Sequence, residues 1–316
     1  MDILIDETLD GKTVKEVLTN TLGYSANMIK KLKFSENGIL VNGSFVTVRH
    51  TLEIGERLSL SVEDKSEDVS PYTIPVNIPI EIIFEDEHVT AVNKPPDMPS
   101  HPSLGHKNDT VANALAYRYR EKNYVFRPVN RLDRDTSGCM LTANSKDASF
   151  KMYRAMTEGK IHKTYIAVTD GSPAAKSGEL RSYLRRTHNS IIMREETDES
   201  DPEGKLAVTK YRVLAENDGH ALILLSPITG RTHQLRVQLS GIGCPITGDD
   251  LYGKSSPNIS RQALHAIKTE FPHPQSGEII KLTAPLSDDI SALTEKYFSK
   301  ESLEDSFKAR LYTESI

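Results

Sequence analysis

Arg131-Leu132-Asp133-Arg134-Asp135-Thr136-Ser137-Gly138 runs directly into Cys139-Met140-Leu141-Thr142. Two carboxylates among two arginines, closed by small residues, read as a charged turn; the apolar run behind them reads as a buried strand. An aspartate beside an arginine has its ionised form favoured, and an ionised carboxylate serves as nucleophile or base near neutral pH. The same spacing also fits a plain surface turn in which Asp135 and Thr136 cap local amides and Gly138 relaxes the backbone. Taken alone, the stretch leaves both readings open.

Working outward, strand patterns recur at 80–84, 89–92, 165–168 and 221–225, and helical patterns at 145–156 and 232–239. The helices are too few for a regular βαβ repeat, so the expected class is α+β with a mixed, mainly antiparallel sheet rather than a doubly wound one. The leading segment differs in character. Residues 14–18 and 28–32 predict two short amphipathic helices, the second capped by Ser25. Asn42-Gly43 between Gly38-Ile39-Leu40-Val41 and Phe45-Val46-Thr47-Val48 is a hairpin signal, because both turn residues accept positive φ. Leu58-Ser59-Leu60-Ser61-Val62 alternates like a further strand. Charge and proline in 64–78, with Pro71 and Pro75, predict a linker. The expected organisation is a small α/β domain over 1–63, that linker, and a larger α+β domain over 79–316.

With 37% hydrophobic residues, the 316-residue chain can bury a sizeable core. Its two cysteines, Cys139 and Cys244, lie too far apart for a metal motif, so a reducing cytoplasm is expected. No apolar run reaches the roughly 18 residues of a membrane span, and the acidic start lacks the basic flank of a signal peptide. A net charge of −5 argues against a nucleic-acid partner, but its distribution weakens that objection. Residues 181–194 carry four arginines and no acid, and 118–134 carry six basic against two acidic residues. Acid gathers instead in 58–87 and 195–204. Local basic faces could therefore serve a polyanion, and the same charges also fit a plain solvated surface.

Two more clusters carry chemistry. Thr229-Gly230-Arg231-Thr232-His233-Gln234-Leu235-Arg236 follows an apolar strand and opens a helix, where free N–H groups beside two arginines suit an anion. Val92-Asn93-Lys94-Pro95-Pro96-Asp97-Met98-Pro99-Ser100-His101-Pro102 reads as a stiff loop whose Lys94 and His101 could touch a polyanion. Each also fits a structural corner or loop. His101 and His106 lack ligand spacing, which disfavours a metal hydrolase.

Together, these segments make residues 80–290 resemble the RluA/RluD-type RNA pseudouridine synthases. Arg131-Leu132-Asp133 leading into Thr136-Ser137-Gly138, Asn93-Lys94-Pro95, Lys163-Thr164-Tyr165, Gly230 through Arg236, Gly248-Asp249 with Leu251-Tyr252-Gly253, and Leu264-His265-Ala266 all match in order. Asn130 and Gln238 stand where the commonest family pattern has histidine. The leading segment resembles the S-four-type RNA-binding module, through its two helices, Gly38-Ile39-Leu40-Val41-Asn42-Gly43 and Gly55-Glu56-Arg57-Leu58.

The resemblance implies the pseudouridine synthase fold and isomerisation of uridine in ribosomal or transfer RNA. It implies Asp133 as the reacting group, attacking the sugar or taking a proton from it. Arg236 would pair with Asp133, and Tyr165 would stack on a flipped base and could take the proton from its carbon, so Asp133, Tyr165 and Arg236 would be the catalytic residues. Arg131, Lys94, His101, Arg231, His233 and Gln234 would contact substrate. No cofactor, metal or membrane is called for, and a monomer is expected.

Overall fold

The computed structural model describes residues 1–22, 24, 26–61, 69–70, 73–188, 190 and 192–299. The expected cap Ser25, residues 62–63, part of the expected linker (64–68, 71 and 72) and the last stretch, 300–316, lie outside them.

The first sixty residues form a four-stranded antiparallel sheet packed on short helices. Strands β1 (Asp2–Leu4), β2 (Ile39–Val41), β3 (Ser44–Phe45) and β4 (Arg57–Leu60) lie in the order β1-β4-β2-β3. Asn42 and Gly43 have φ of 51° and 80°, the left-handed pair that a two-residue hairpin demands. Helix α1 (Val14–Glu16) opens with a capping box: the Thr13 hydroxyl accepts the Glu16 N–H, and the Glu16 carboxylate accepts the Thr13 N–H. It passes into a π-type turn, Val17–Thr21, and α2 (Ala26–Phe34) follows. Val14, Val17, Leu18, Ile29, Leu32, Ile39 and Leu58 make the core of this unit.

The rest of the chain builds one large sheet. Its strands are β5 (Glu81–Glu85), β6 (Val89–Lys94), β7 (Ser137–Ala143), β8 (His162–Asp170), β9 (Ser177–Arg186), β10 (Arg194–Thr197), β11 (Lys205–Asn217), β12 (His220–Pro227), β13 (Leu264–Pro272) and β14 (Ile279–Thr283). The order is β10-β9-β11-β12-β8-β13-β7-β6-β5, with β14 on β13. Among the described residues, only the β7–β13 pairing is parallel. The α+β, mainly antiparallel expectation therefore holds.

Helices α3 (Val111–Arg118), α4 (Lys146–Thr157), α5 (Gln234–Gly241) and α6 (Asp288–Tyr297) accompany the sheet. The sequence patterns announce neither α3 nor α6. Helix α5 starts two residues later than its sequence pattern suggests, because His233 takes a left-handed conformation (φ 57°) just before it. The leading unit rests on α4: Tyr24 packs edge-on against Phe150, with ring centres 5.0 Å apart.

Two central pairings position the site. Gly138 on β7 lies opposite Ala266 on β13, and Tyr165 on β8 lies opposite Ala266 and Leu225. Gly138 has a φ of 108°, and a Cβ there would come within 2.3 Å of the Ala266 carbonyl oxygen. Glycine is thus required where β7 crosses so close to β13, immediately after the Asp133 turn.

Candidate active site

The turn carrying Asp133 is held along its length. The Ser100 hydroxyl donates to the Leu132 carbonyl (2.9 Å), Lys94 to the Arg134 carbonyl (2.7 Å) and Arg261 to the Asp135 carbonyl (2.8 Å). The Thr136 N–H closes the turn on the Asp133 carbonyl (3.1 Å). Asn130, where the family pattern has histidine, accepts the Leu141 N–H at 2.8 Å and ties the approach to β7.

The turn projects Asp133 into a cleft of about 510 Å³. Across it, α5 supplies Arg236, whose Nη1 lies 3.7 Å from Asp133 Oδ2. The rest of that guanidinium is clamped by buried Asp249: Nε and Nη2 donate to its two oxygens at 2.6 and 2.7 Å. Burial works against the charge on Arg236, yet Asp249 and Asp133 together push its pKa above the ordinary value. The Nε2 of His233 faces Asp133 Oδ2 at 4.0 Å. Tyr165 also borders the cleft. Burial and the charge of Asp133 push its phenol pKa up, which keeps the ring neutral.

The three residues expected to be catalytic therefore share one cleft, although Tyr165 and Arg236 come from segments roughly 30 and 100 residues past Asp133. Among the expected substrate contacts, Arg131, His101, Arg231, His233 and Gln234 also border it. Arg131 is exposed, and it helps burial lower the His101 pKa. Arg231 is exposed as well, with its Nε on the Leu206 carbonyl.

Lys94 needs correction, and Gln234 turns its side chain inward. Lys94 is fully buried, and its ammonium donates to the carbonyls of Pro95, Met98 and Arg134 at 2.7–2.8 Å. It organises the Asp133 turn from behind and offers nothing to a polyanion. Burial lowers its pKa to about 7. The buried Gln234 amide also spends itself internally, accepting from Thr229 and the Arg231 N–H and donating to Val208 and Thr209. Gln238, the other departure from the family pattern, similarly pins α5 to β9 and β11 through Thr209, Ser182 and the Ala207 carbonyl.

In the arginine-rich stretch 181–194, two of the four arginines are paired with acids. Arg181 pairs with Glu179, and Arg185 with Glu195 and Asp201. The β9–β10 hairpin folds the acidic segment back onto the basic one. The sequence singled out neither Asp249 nor Tyr252 for a role; both lie in its Gly-Asp and Leu-Tyr-Gly motifs, whose partners only the fold reveals.

Among the described residues, no cluster of His, Cys, Asp and Glu is gathered as a metal site requires, and no helix is long and apolar enough to cross a membrane.

Comparison with known proteins gives the family. Residues 88–241 match the family model described as RNA pseudouridylate synthase. The chain is 37% identical over 283 residues to the uncharacterised RNA pseudouridine synthase YjbO of Bacillus subtilis, spanning 89% of this chain and 98% of that one. It is 34% identical to ribosomal large subunit pseudouridine synthase D of Pasteurella multocida, over 86% of each chain. Among solved structures, human RNA pseudouridylate synthase domain containing 1 superposes with a TM-score of 0.57 at 26% identity, covering 73% of this chain and 95% of that one. The chain belongs to the RluA/RluD-type RNA pseudouridine synthases, isomerases that convert uridine to pseudouridine within RNA.

Proposed function

We propose that this enzyme modifies uridines of large-subunit ribosomal RNA and that Asp133 is its reacting group. The observation that carries the reading is the Asp133 carboxylate, half-exposed in the cleft and faced by Arg236 at 3.7 Å. A carboxylate so held supports either a covalent bond to the ribose anomeric carbon or abstraction of a sugar proton. Tyr165, kept neutral, offers a stacking surface to a base flipped out of the RNA. Arg131, His101 and Arg231 line the route by which a phosphate backbone enters.

The ribosomal target is supported by relatives named ribosomal large subunit pseudouridine synthase D. Residues 1–63 would act as an S-four-type RNA-binding module. Lys30, Lys31 and Lys33 on α2 are exposed, beside a Phe34 ring that is 78% exposed. Cations interleaved with an open aromatic face suit single-stranded RNA. The enzyme would work as a monomer in the cytoplasm, where its two buried cysteines stay free thiols.

Pseudouridine mapping of total RNA, with and without the gene, tests the reading. We expect sites in large-subunit ribosomal RNA to vanish on deletion and to return with the wild-type gene but not with Asp133→Asn. Restoration by Asp133→Asn would refute the catalytic role, and loss confined to transfer RNA would refute the target.

A further inference from the structure

Tyr252, in the loop after α5, touches both groups that face Asp133. Its ring lies under the Arg236 guanidinium, 5.1 Å from centre to centre. Its backbone N–H donates to Asp249 Oδ1 (3.2 Å), the carboxylate that clamps Arg236. Its carbonyl is anchored by the Ser240 hydroxyl at 2.6 Å. Its phenol oxygen accepts the Arg194 N–H of β10 at 2.8 Å and sits 2.8 Å from His233 Nδ1.

These contacts favour one position for the His233 proton. A phenol carries one proton, and here its oxygen already accepts a backbone N–H. Among the described residues, the remaining partner within reach is His233 Nδ1, so the phenol O–H donates to it. Nδ1 is then an acceptor, and a neutral imidazole in that state carries its hydrogen on Nε2. Nε2 is the atom turned to Asp133, at 4.0 Å. The charged surroundings favour the neutral ring: burial, Arg236 and Arg194 disfavour the imidazolium, against the pull of Asp133 and Asp249. Asp133 thus faces one permanent cation and one neutral donor. A second cation would stabilise the carboxylate further and blunt it as nucleophile or base, whereas a neutral N–H can orient it without that penalty.

We propose that Tyr252 is a positioning residue for the isomerisation, locking His233 in the Nε2–H tautomer so that it donates to Asp133. The present 4.0 Å is long for a hydrogen bond; such contacts tighten when substrate fills a site. The inference rests on Asp133 being the reacting carboxylate.

The test uses full-length protein labelled with ¹⁵N-histidine, with His233 assigned by comparison with His233→Gln. Long-range ¹H–¹⁵N spectra near neutral pH are expected to show the Nε2–H tautomer. In Tyr252→Phe, which keeps the ring under Arg236, Nδ1 loses its donor; the tautomer should become mixed and the His233 titration should move up by about one pH unit. In tritium-release assays the same variant should lose about ten-fold in kcat, the worth of one hydrogen bond, with KM within about two-fold. The acid limb of its kcat profile should move up with the titration. An Nδ1–H tautomer in the wild type would overturn the proposal, as would a Tyr252→Phe enzyme with unchanged titration and kcat profile. The spectra need neither RNA nor turnover, so failure of the tautomer and failure of the Asp133 reading are separately visible.

Discussion

Asp249 grips the Nε–Nη2 edge of Arg236 at 2.6 and 2.7 Å, and only Nη1 remains to face Asp133. The bidentate grip removes the rotational freedom of the guanidinium and so decides where its third nitrogen points. Asp249 is fully buried, so the clamp and the fold depend on each other.

Asp249→Ala should accordingly impair both stability and turnover. Breaking a buried ion pair from one side costs about 3–5 kcal/mol, because the other charge is left stranded. Urea unfolding at neutral pH reads that loss. Asp249→Asn keeps one acceptor for Arg236 and should lose less stability while still losing kcat. A variant as stable and as active as wild type would show that the clamp does not position Arg236.

Lys94→Met should act through the Asp133 turn rather than through RNA. The substitution removes the donor that holds the Arg134 carbonyl. A displacement of about 1 Å at a reacting group costs on the order of 10²-fold in rate. Tritium release should show a fall in kcat, while RNA affinity keeps its wild-type dependence on salt.

Arg131→Ala should do the reverse. Removing a single cation from a phosphate flattens the slope of log affinity against log salt by about 0.7–0.9. We expect a slope shallower by that amount, a raised KM and unchanged thermal stability. Filter binding across a salt series measures it, and an unaltered slope would remove Arg131 from the RNA path.

His265 predicts a loss of stability in acid. It is fully buried beside Ser137, 2.8 Å from the hydroxyl, and burial lowers its pKa to about 4 from 6.5. The unfolded chain takes up the proton first as pH falls, so this contribution is complete above about 6.5 and declines toward 4. One such group accounts for about 2 kcal/mol by pH 5 and about 3 kcal/mol at pH 4. Urea unfolding at a series of pH values should show this decline in wild type and a flatter profile in His265→Gln.

The features readable in the chain are those with a local cause. Asn42-Gly43 demands positive φ at two successive residues, so the hairpin follows from two letters. The strand after Asp133 is seven residues, all buried, and its apolar run announces it. Helices α3 and α6 escape the sequence for an equally local reason: α3 is short and rich in alanine, and both the Thr110–Asn113 capping box and the Ser287 cap are weak signals amid loops. The polar strands β9 and β10 lie at the edge of the sheet, where alternation of apolar and polar residues fades.

The sequence by itself determined the family, because ordered motifs are legible as strings of residue types, and it pointed to Asp133, Tyr165 and Arg236, which the fold brings to one cleft. Only the tertiary structure decided which charges are available. Lys94 and Gln234 carry polar groups that a sequence reader assigns to substrate, but the fold uses them up on internal carbonyls, amides and hydroxyls. Within 181–194, Arg185 is paired with Glu195 and Asp201, acids that the chain brings back across β9, and Arg181 with Glu179 on β9 itself. Asp249 and Tyr252 join the site because the loop after α5 folds back over that helix. A side chain's chemistry is written in its residue type, but its partners depend on which distant segments the sheet brings together.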